Sequence, residues 1–389
     1  VSNSEQAAVV ISGTAETKDN QPVTLTITGP ITTISATPTV MDSVWTHTEN
    51  ISGMADGTIT VTADVFDIAG NAATQFERPV EKDTDPPSIA IKDTLMLDNI
   101  VSNSEQGAVV ISGTADTEDN QTVTLTIAGS TTINDSATVT DSVWTKTVDI
   151  TALDDGDITI TADVSDLAGN PAPRVHPDNP RIVEKDAAPP TLAIDDLLMD
   201  DDIVNNSEQD SVVISGTSDA EGQTVTLRIG STPIIATATV TVGGVWKDTV
   251  DISSLAEGDI IITADVTNQI GNVAIQATDT LVKDIVPPSI AIDDLLMGDD
   301  RVNNSEQGAV VFSGTTNAEN DQIVTLRIGS PPIIANPIVT VGGVWTHTQD
   351  ISSLAEGDII ITADVSDLAG NPATQDTTVI NKDTTLPTL

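Results

Sequence analysis

The sequence predicts an all-β protein of four tandem immunoglobulin-like β-sandwich domains in a linear rod. Short motifs recur about every hundred residues, and the four tryptophans lie 99, 102 and 99 residues apart. These are Trp45, Trp144, Trp246 and Trp345. Between the motifs, apolar residues alternate with polar ones in segments rich in Val, Ile and Thr, which is typical of half-buried strands. Gly and Asn at regular intervals indicate the turns between them.

One copy contains about seven such segments. In the second copy they are PSIAI, AVVISGT, QTVTLTI, SATVT, SVWTKTVDI, GDITITADV and a last strand that ends at VEKD. Seven short strands in about a hundred residues favour a two-sheet sandwich of the immunoglobulin type. Tryptophan is the only large aromatic residue in the second and third copies, and it recurs in all four, so we expect it at the centre of each core, the alternative being a platform for stacking sugars.

Proline pairs mark the predicted joints, because they stiffen the chain and lack N–H donors. They lie at 86–87, 189–190 and 287–288. The predicted domains are therefore 1–85, which lacks its first strand in this chain, 86–186, 187–284, and 285–389, which ends in the stub of the next linker and strand. The second copy has extra residues in PAPRVHPDNPRIVEKD, a Pro-rich stretch that predicts a protruding loop.

Charge limits the possible partners. The 389 residues include 59 acidic and 14 basic residues, for a net charge of -45. Such a polyanion is repelled by nucleic acid and by anionic membrane surfaces, and it favours cations. With 38% hydrophobic residues the chain can still bury cores. It has no cysteine, so disulfides and thiolate metal sites are excluded and an extracellular protein of this kind needs another stabiliser.

Acidic residues are predicted to converge at each joint. In a sandwich of this type, the loop between the first two strands (the A–B loop) and the end of the last strand share one end. The loop with the sequence DLAGN lies at the opposite end. Stacked head to tail, each joint then gathers an A–B loop, a linker aspartate and the DLAGN loop of the following domain. Clustered oxygen ligands of this kind predict Ca²⁺ sites.

The candidate ligands fall into four sets. Asn and Glu two residues apart share a face if the segment is extended; these pairs are Asn3 and Glu5, Asn103 and Glu105, Asn206 and Glu208, and Asn304 and Glu306. Upstream in the A–B loops are Asp98, Asn99, Asp201, Asp202, Asp299 and Asp300. The linker aspartates are Asp83, Asp186, Asp284 and Asp383. The DLAGN-type loops contribute Asp67, Asp166 and Asp367, with Asn268 in the third copy.

Simpler interpretations remain open for these sets. The A–B acids and the linker aspartates could form a solvated acidic rim. The DLAGN loop could be a Gly-Asn turn capped by its own aspartate.

Catalysis finds little support in the sequence. Its three histidines, at 47, 176 and 347, have no arguable Ser-His-Asp or Cys-His partners. No Gly-rich phosphate loop follows a strand and opens a helix. We therefore expect no enzymatic activity.

The motifs resemble a known family. DNIVSNSEQ is similar to the DNVIN-x-x-E opening of tandem Ig-like repeats in giant bacterial adhesins, which are secreted by type I systems and carry RTX repeats. DLAGN, a strand and the KD…PP joint resemble the same family, in all four copies. One departure is Ser102, where the family has the Asn that Asn205 and Asn303 keep.

The resemblance implies an extender region. Such a region is a stalk that Ca²⁺ rigidifies at interdomain joints and that holds distal ligand-binding domains away from the bacterial surface. Implied partners are the neighbouring repeats and calcium ions, in a monomeric rod without nucleic-acid binding or membrane insertion. The alternatives are an Ig-like module that itself binds a glycan or a second copy, and an accessory domain of a secreted enzyme. Similar loops in all copies favour the mechanical role.

Overall fold

The computed structural model describes residues 1–174, 179–294 and 296–387. These residues form β-strands and one short 3-10 helix, Leu296–Gly298. Their contacts divide the chain into two compact units, 1–188 with 270–272 and 189–269 with 273–389. Within the described ranges, no helix has the length and hydrophobicity needed to cross a membrane. The all-β prediction is confirmed.

The first unit begins with a repeat of six strands, named repeat 1 (residues 1–85). These are β1 Val9–Thr14, β2 Val23–Thr28, β3 Thr33–Ala36, β4 Val44–Glu49, β5 Gly57–Val65 and β6 Phe76–Lys82. One sheet has the order β3-β2-β5-β6 and the other contains β1 and β4.

Repeat 2 (residues 86–186) has eight strands. These are β7 Ser88–Ile91, β8 Ile100–Val101, β9 Val109–Asp116, β10 Thr122–Ala128, β11 Thr132–Thr138, β12 Val143–Val148, β13 Gly156–Asp163 and β14 Arg181–Lys185. They form a five-stranded sheet, β11-β10-β13-β14-β8, and a three-stranded sheet, β12-β9-β7. All pairs are antiparallel except β8 with β14, which is parallel.

The second unit has two repeats built in the same way. Repeat 3 (187–284) has β15 Leu192–Ile194, β16 Ile203–Val204, β17 Val212–Ser218, β18 Thr224–Ile229, β19 Ile234–Thr239, β20 Val245–Val250, β21 Gly258–Asp265 and β22 Ala277–Lys283. Repeat 4 (285–389) has β23 Ile290–Ile292, β24 Arg301–Val302, β25 Val310–Thr316, β26 Thr325–Ile328, β27 Ile333–Ala335, β28 Val344–Gln349, β29 Gly357–Asp364 and β30 Asp376–Lys382. Each of these two repeats has one five-stranded and one three-stranded sheet.

Each repeat has its own hydrophobic core, filled by the alternating residues of its strands. In β10 the inward residues Val123, Leu125 and Ile127 are at most 1% exposed. The tryptophans lie in these cores as predicted: Trp144 is 1% exposed and its ring covers Gly113 on the paired strand β9. A Cβ on Gly113 would lie 2.5 Å from that ring, which explains the glycine of the recurring ISGT motif.

A buried lysine closes the end of each sandwich at its last strand. Lys283 is 1% exposed, and its Nζ donates to the carbonyls of Ile252, Ser253 and Leu255 at 3.0, 3.1 and 2.8 Å. In repeat 2 the corresponding Lys185 instead pairs with Asp155 at 3.0 Å. This lysine immediately precedes the linker aspartate, so it fixes where the linker leaves the domain.

Two local features differ from the sequence predictions. The segment at Ile100–Val101 adds a strand, β8, which the sequence could not indicate because two residues show no periodicity. The predicted protruding loop of the second copy falls partly on residues 175–178, outside the described residues. Its described end is anchored by Asn179, whose amide exchanges hydrogen bonds with the backbone of Ala162 at 3.1 and 2.6 Å, as a neighbouring strand would.

Candidate functional site

In repeats 1, 2 and 4 the DLAGN-type loop holds its final asparagine in a fixed orientation. In repeat 2, Asp166 Oδ1 accepts from Asn170 N, and Asn170 Nδ2 donates to Asp166 Oδ2, both at 2.8 Å. Gly169 allows the tight turn with a φ of 95°. The loop is therefore a Gly-Asn turn capped by its own aspartate, which is the simpler of the two interpretations given for it above. Both carboxylate oxygens of Asp166 accept from N–H groups of Asn170. The Oδ1 atom of Asn170 takes no part in these bonds and can accept from another segment.

That asparagine joins repeat 2 to repeat 1. Asn3 N donates to Asn170 Oδ1 at 2.7 Å, and Asn170 Nδ2 donates to the backbone carbonyl of Asp83 at 2.9 Å. Asn170 is only 2% exposed, although it lies in a loop. One side chain thus bonds the A–B segment and the linker of the preceding repeat. We call this three-part contact the asparagine clasp.

The second unit contains an equivalent clasp between repeats 3 and 4. Asn206 N donates to Asn371 Oδ1, and Asn371 Nδ2 donates to the Asp284 carbonyl, both at 2.9 Å. Asp367 again holds the asparagine, at 2.7 and 3.0 Å. Here Asn205 adds a bond from its Nδ2 to the Ala369 carbonyl at 3.0 Å. The residue at the equivalent position of repeat 1 is Ser2.

The first unit also includes the segment Ile270–Asn272. Within that unit Asn103 N donates to Asn272 Oδ1 at 2.7 Å, and Asn272 Nδ2 donates to the carbonyls of Asp186 and Ala188 at 2.8 and 3.0 Å. The same A–B, linker and loop elements therefore meet each time, as the predicted topology requires.

The predicted Asn-Glu pairs do not lie on an extended segment. Ser102 to Gln106 forms a turn, with Gln106 N donating to the Ser102 carbonyl at 3.1 Å. Within it Glu105 folds back and accepts from Ser102 N at 3.0 Å, as in a helix capping box. The expectation of an extended conformation is wrong, because the backbone satisfies its donors locally. Glu5, Glu208 and Glu306 fold back in the same way, at 2.9, 3.0 and 3.0 Å.

These bonds lower the pKa of the first copy's glutamate. The Ser2 backbone N–H, followed by the Ser2 hydroxyl, holds the pKa of Glu5 below its ordinary value. Both donors act on Oε2, so Oε1 is left for other ligands. The Asn partners have a local role too: the Oδ1 of Asn103 accepts from Gln106 Nε2 at 2.6 Å. At the joint it is the backbone N–H of the asparagine that makes the contact.

The acids of the A–B loop stabilise that loop's own turns. Asp98 Oδ1 accepts from Ile100 N at 2.9 Å, and Asn99 Oδ1 accepts from Leu95 N at 2.9 Å. Both bonds recur in the second unit, where Asp201 and Asp299 accept at 3.0 and 3.1 Å, and Asp202 and Asp300 at 2.7 and 2.8 Å. Such turns need oxygen-bearing residues with a left-handed backbone, and Asn99, Asp202 and Asp300 have φ of 66°, 59° and 56°.

The linker aspartates take part in the joints mainly through their backbone. Their Oδ1 atoms accept from the N–H two residues later, at 3.1 to 3.2 Å in Asp83, Asp186, Asp284 and Asp383. The carbonyls of the first three are the acceptors that the clasp asparagines use. The pKa of Asp383 is lowered by its bonds from the Thr385 hydroxyl and backbone N–H.

The donor set can be compared with what Ca²⁺ requires. Every candidate offers hard oxygen ligands, and the turns engage one oxygen of Glu5 and of Asp83. Asp166 fits less well, because both of its oxygens bind Asn170. Across residues 1–174, 179–294 and 296–387, no three His, Cys, Asp or Glu side chains come together as a metal-binding group. The metal role of the predicted ligands stays a prediction.

Sequence reasoning missed the residue that joins the repeats. The clasp asparagines of the two units are Asn170 and Asn371. The signal was present, since an asparagine ends this loop in all four copies, as Asn71, Asn170, Asn272 and Asn371. The sequence predicts this asparagine only as part of the turn, because carboxylates are the stronger signal at a joint with so many acidic residues.

Comparison with solved structures gives similar proteins. A tetra-tandem repeat in the extending region of a large adhesion protein is 27% identical, with 98% of this chain and 96% of that chain covered and a TM-score of 0.41. A Ca²⁺-stabilised adhesin with which an Antarctic bacterium reaches out and binds ice is 25% identical, with the same coverage and a TM-score of 0.44.

A single-domain match is also found. A bacterial immunoglobulin-like domain from the M. primoryensis ice-binding adhesin is 30% identical over its full length and 25% of this chain, with a TM-score of 0.21. No protein-family model and no curated protein matches the chain. The chain is similar to adhesin extender repeats. This similarity, which the order of motifs predicted, extends over 98% of its length.

Proposed function

We propose that this chain is a structural extender, or stalk, segment of a bacterial cell-surface adhesin, and that it projects distal ligand-binding domains from the cell. The observation that carries the proposal is the asparagine clasp. At equivalent positions in both units, a buried side chain bonds the A–B segment and the linker of the preceding repeat.

The clasp suits a mechanical role because it limits motion between successive repeats. Its acceptors and donors on the preceding repeat are backbone atoms, which cannot rotate away as side chains do. The asparagine itself is held because its backbone N–H and its side-chain amide both donate to an aspartate in the same loop. A joint of this kind restricts bending and twisting about the linker, and a stalk needs such restriction to keep its reach.

An extracellular location and export by a type I system accompany this role in the proposal. A chain without cysteine folds without oxidative pairing, and its net charge of -45 favours a compartment rich in divalent cations. In this setting no enzymatic activity is required of the repeats.

Ca²⁺ is the cation that we propose to stabilise the joints. Its support is the charge excess, the oxygen donors of the linkers and A–B turns, and the Ca²⁺ stabilisation stated for one similar adhesin. Glu5 and Asp83, each with one oxygen outside its turn, and Asn3 would contribute at the first joint. Bound there, Ca²⁺ would neutralise carboxylates that otherwise repel one another.

Calcium titration tests this part of the proposal. Calorimetry of the intact chain is expected to show binding in a small number of sites per joint, and saturation at 100 times the dissociation constant is expected to stabilise the folded state by about 2.7 kcal/mol. Asp83→Asn is expected to remove one class of sites, whereas Asp157→Asn, an exposed residue of β13, leaves all of them. Equal effects of the two variants, or no saturable binding, would contradict the calcium assignment.

A further inference from the structure

An acidic residue stands directly before the glycine that opens one strand of every repeat. The four acids are Asp56, Asp155, Glu257 and Glu356, before β5, β13, β21 and β29. In each repeat that glycine pairs with the buried lysine of the last strand, as Gly258 pairs with Lys283. Because the two strands are antiparallel, the residue before the glycine lies opposite the linker that follows the lysine. The register therefore places one carboxylate of every repeat beside its own outgoing linker.

Each of these carboxylates accepts a hydrogen bond from the linker backbone. The donor is always the N–H directly after the linker aspartate, that of Thr84, Ala187, Ile285 and Thr384, at 3.0, 3.1, 3.2 and 2.9 Å. Aspartate makes this bond in two repeats and the longer glutamate makes it in the other two. A contact that is kept with two side-chain lengths is a regular part of the linker's geometry.

The bonded N–H belongs to the same peptide group as the carbonyl that the asparagine clasp uses. Between repeats 3 and 4 this is the group that joins Asp284 to Ile285, and Asn371 Nδ2 donates to its carbonyl at 2.9 Å. The peptide bond is trans, and a planar trans group points its N–H and its C=O in opposite directions. By holding the N–H, Glu257 fixes the direction in which the carbonyl is presented to the following repeat.

Three hydrogen bonds in series thus connect the acid to the A–B segment. From Glu257 the series passes through the linker peptide group to Asn371, whose Oδ1 accepts from Asn206 N at 2.9 Å. Both ends of the series lie in repeat 3, and the asparagine lies in repeat 4. Bonds in series polarise one another, and a charged acceptor strengthens the bond that it receives. The joint between repeats 1 and 2 has the same series, formed by Asp56, the peptide group of Asp83 and Thr84, Asn170 and the N–H of Asn3.

We propose that Asp56 and Glu257 are positioning residues of the joints, and that each acts through the linker peptide group to hold the asparagine of the following repeat in its clasp. The inference rests on the proposed stalk function and deepens it, because the preceding repeat orients the acceptor that the following repeat binds. A repeat with a small neutral residue before this glycine is expected to form a looser joint with its successor.

Glu257 is the better residue for a test. Its removal leaves Lys283 with three backbone carbonyls as acceptors, whereas the removal of Asp56 would leave the buried Lys82 without its partner at 2.6 Å. Glu257 is also exposed, so its replacement creates no cavity in the core.

Hydrogen exchange on the intact chain measures both ends of the series. Glu257→Ala is expected to speed exchange at the Ile285 amide and also at the Asn206 amide, each roughly three- to tenfold, the factor that corresponds to one lost hydrogen bond. Glu257→Gln keeps an oxygen that can accept from Ile285, and it is expected to restore most of the protection at both amides.

The matched control is Glu221→Ala, which removes another exposed glutamate of repeat 3. Glu221 accepts from Gly243 N at 2.9 Å, so its loss is expected to speed exchange at Gly243 and to leave Asn206 unchanged. The proposal is overturned if Glu257→Ala speeds exchange at Ile285 alone, or if Glu221→Ala affects Asn206 as much.

A third variant, Asn371→Ala, separates this failure from a failure of the proposed function. If it speeds exchange at Asn206 while Glu257→Ala does not, the clasp stands and the positioning role of Glu257 falls. If neither variant changes exchange at Asn206, the clasp and the positioning role fall together.

Discussion

Replacing Asn170 by alanine removes the clasp between repeats 1 and 2. The change deletes the bonds to Asn3 N, the Asp83 carbonyl and Asp166, which are 2.7, 2.9 and 2.8 Å long. Each such bond contributes about 0.5–1.5 kcal/mol net, and each buried partner left alone costs about 1–3 kcal/mol. Since Asn170 is 2% exposed, we expect the coupling of the two repeats to weaken by about 2–4 kcal/mol.

Hydrogen exchange of the Asn3 amide measures this directly, because that N–H is covered by the clasp itself. It is expected to exchange roughly 30- to 1,000-fold faster in Asn170→Ala, the rate factor that corresponds to the weakened coupling. The matched control is Asn71→Ala, which removes the same side chain from a loop where it is exposed and bonds only its own aspartate among the contacts described above. Unchanged exchange at Asn3 in Asn170→Ala would refute the clasp.

Three further predictions concern the repeats themselves. Lys283→Met should lower the stability of repeat 3 by about 2–4 kcal/mol in denaturant titration, because three carbonyls, that of Ile252 fully buried, lose their charged donor; an unchanged midpoint would contradict this. Gly113→Ala should destabilise repeat 2 by about 1–3 kcal/mol, as the new methyl clashes with the Ala90 carbonyl and with the Trp144 ring, and thermal melting followed by tryptophan fluorescence would detect it; an unaltered melt would be against it. The pKa values of Glu5 and Asp67 are lowered, the first mainly by Ser2 N–H and the second by the Asn71 amide, so their stabilising bonds persist above the ordinary carboxyl pKa and are lost as pH falls through the lowered values. NMR titration should find both carboxyls ionised below the usual range.

The strands and cores could be predicted from the sequence because their signals are local. The alternation in QTVTLTI fixes which residues of β10 face inward, and Val123, Leu125 and Ile127 are buried as expected. The spacing of the tryptophans requires one core per copy, and each tryptophan lies in one. The strand β8 was missed since two residues give no pattern, and its parallel pairing with β14 depends on the closed sandwich.

The meeting of three elements at each joint could also be predicted, because it follows from topology alone. Which atoms meet could not, since that depends on the local backbone. The negative charges of Asp166 and Glu105 predict metal ligands at the joint. In the structure, Asp166 accepts from Asn170, and Glu105 caps its own turn. The spacing of Ser102 and Glu105 was the available signal for that turn, as it matches the capping-box pattern.

The most direct test of the account is small-angle scattering of the intact chain and of the double variant Asn170→Ala with Asn371→Ala. Clasps of this kind are proposed to restrict motion between successive repeats. The double variant should therefore show a broader distance distribution and a shorter average end-to-end distance than the wild type, and Asn71→Ala should match the wild type. Identical scattering curves for the double variant and the wild type would contradict the proposal that the clasp restricts motion between the repeats.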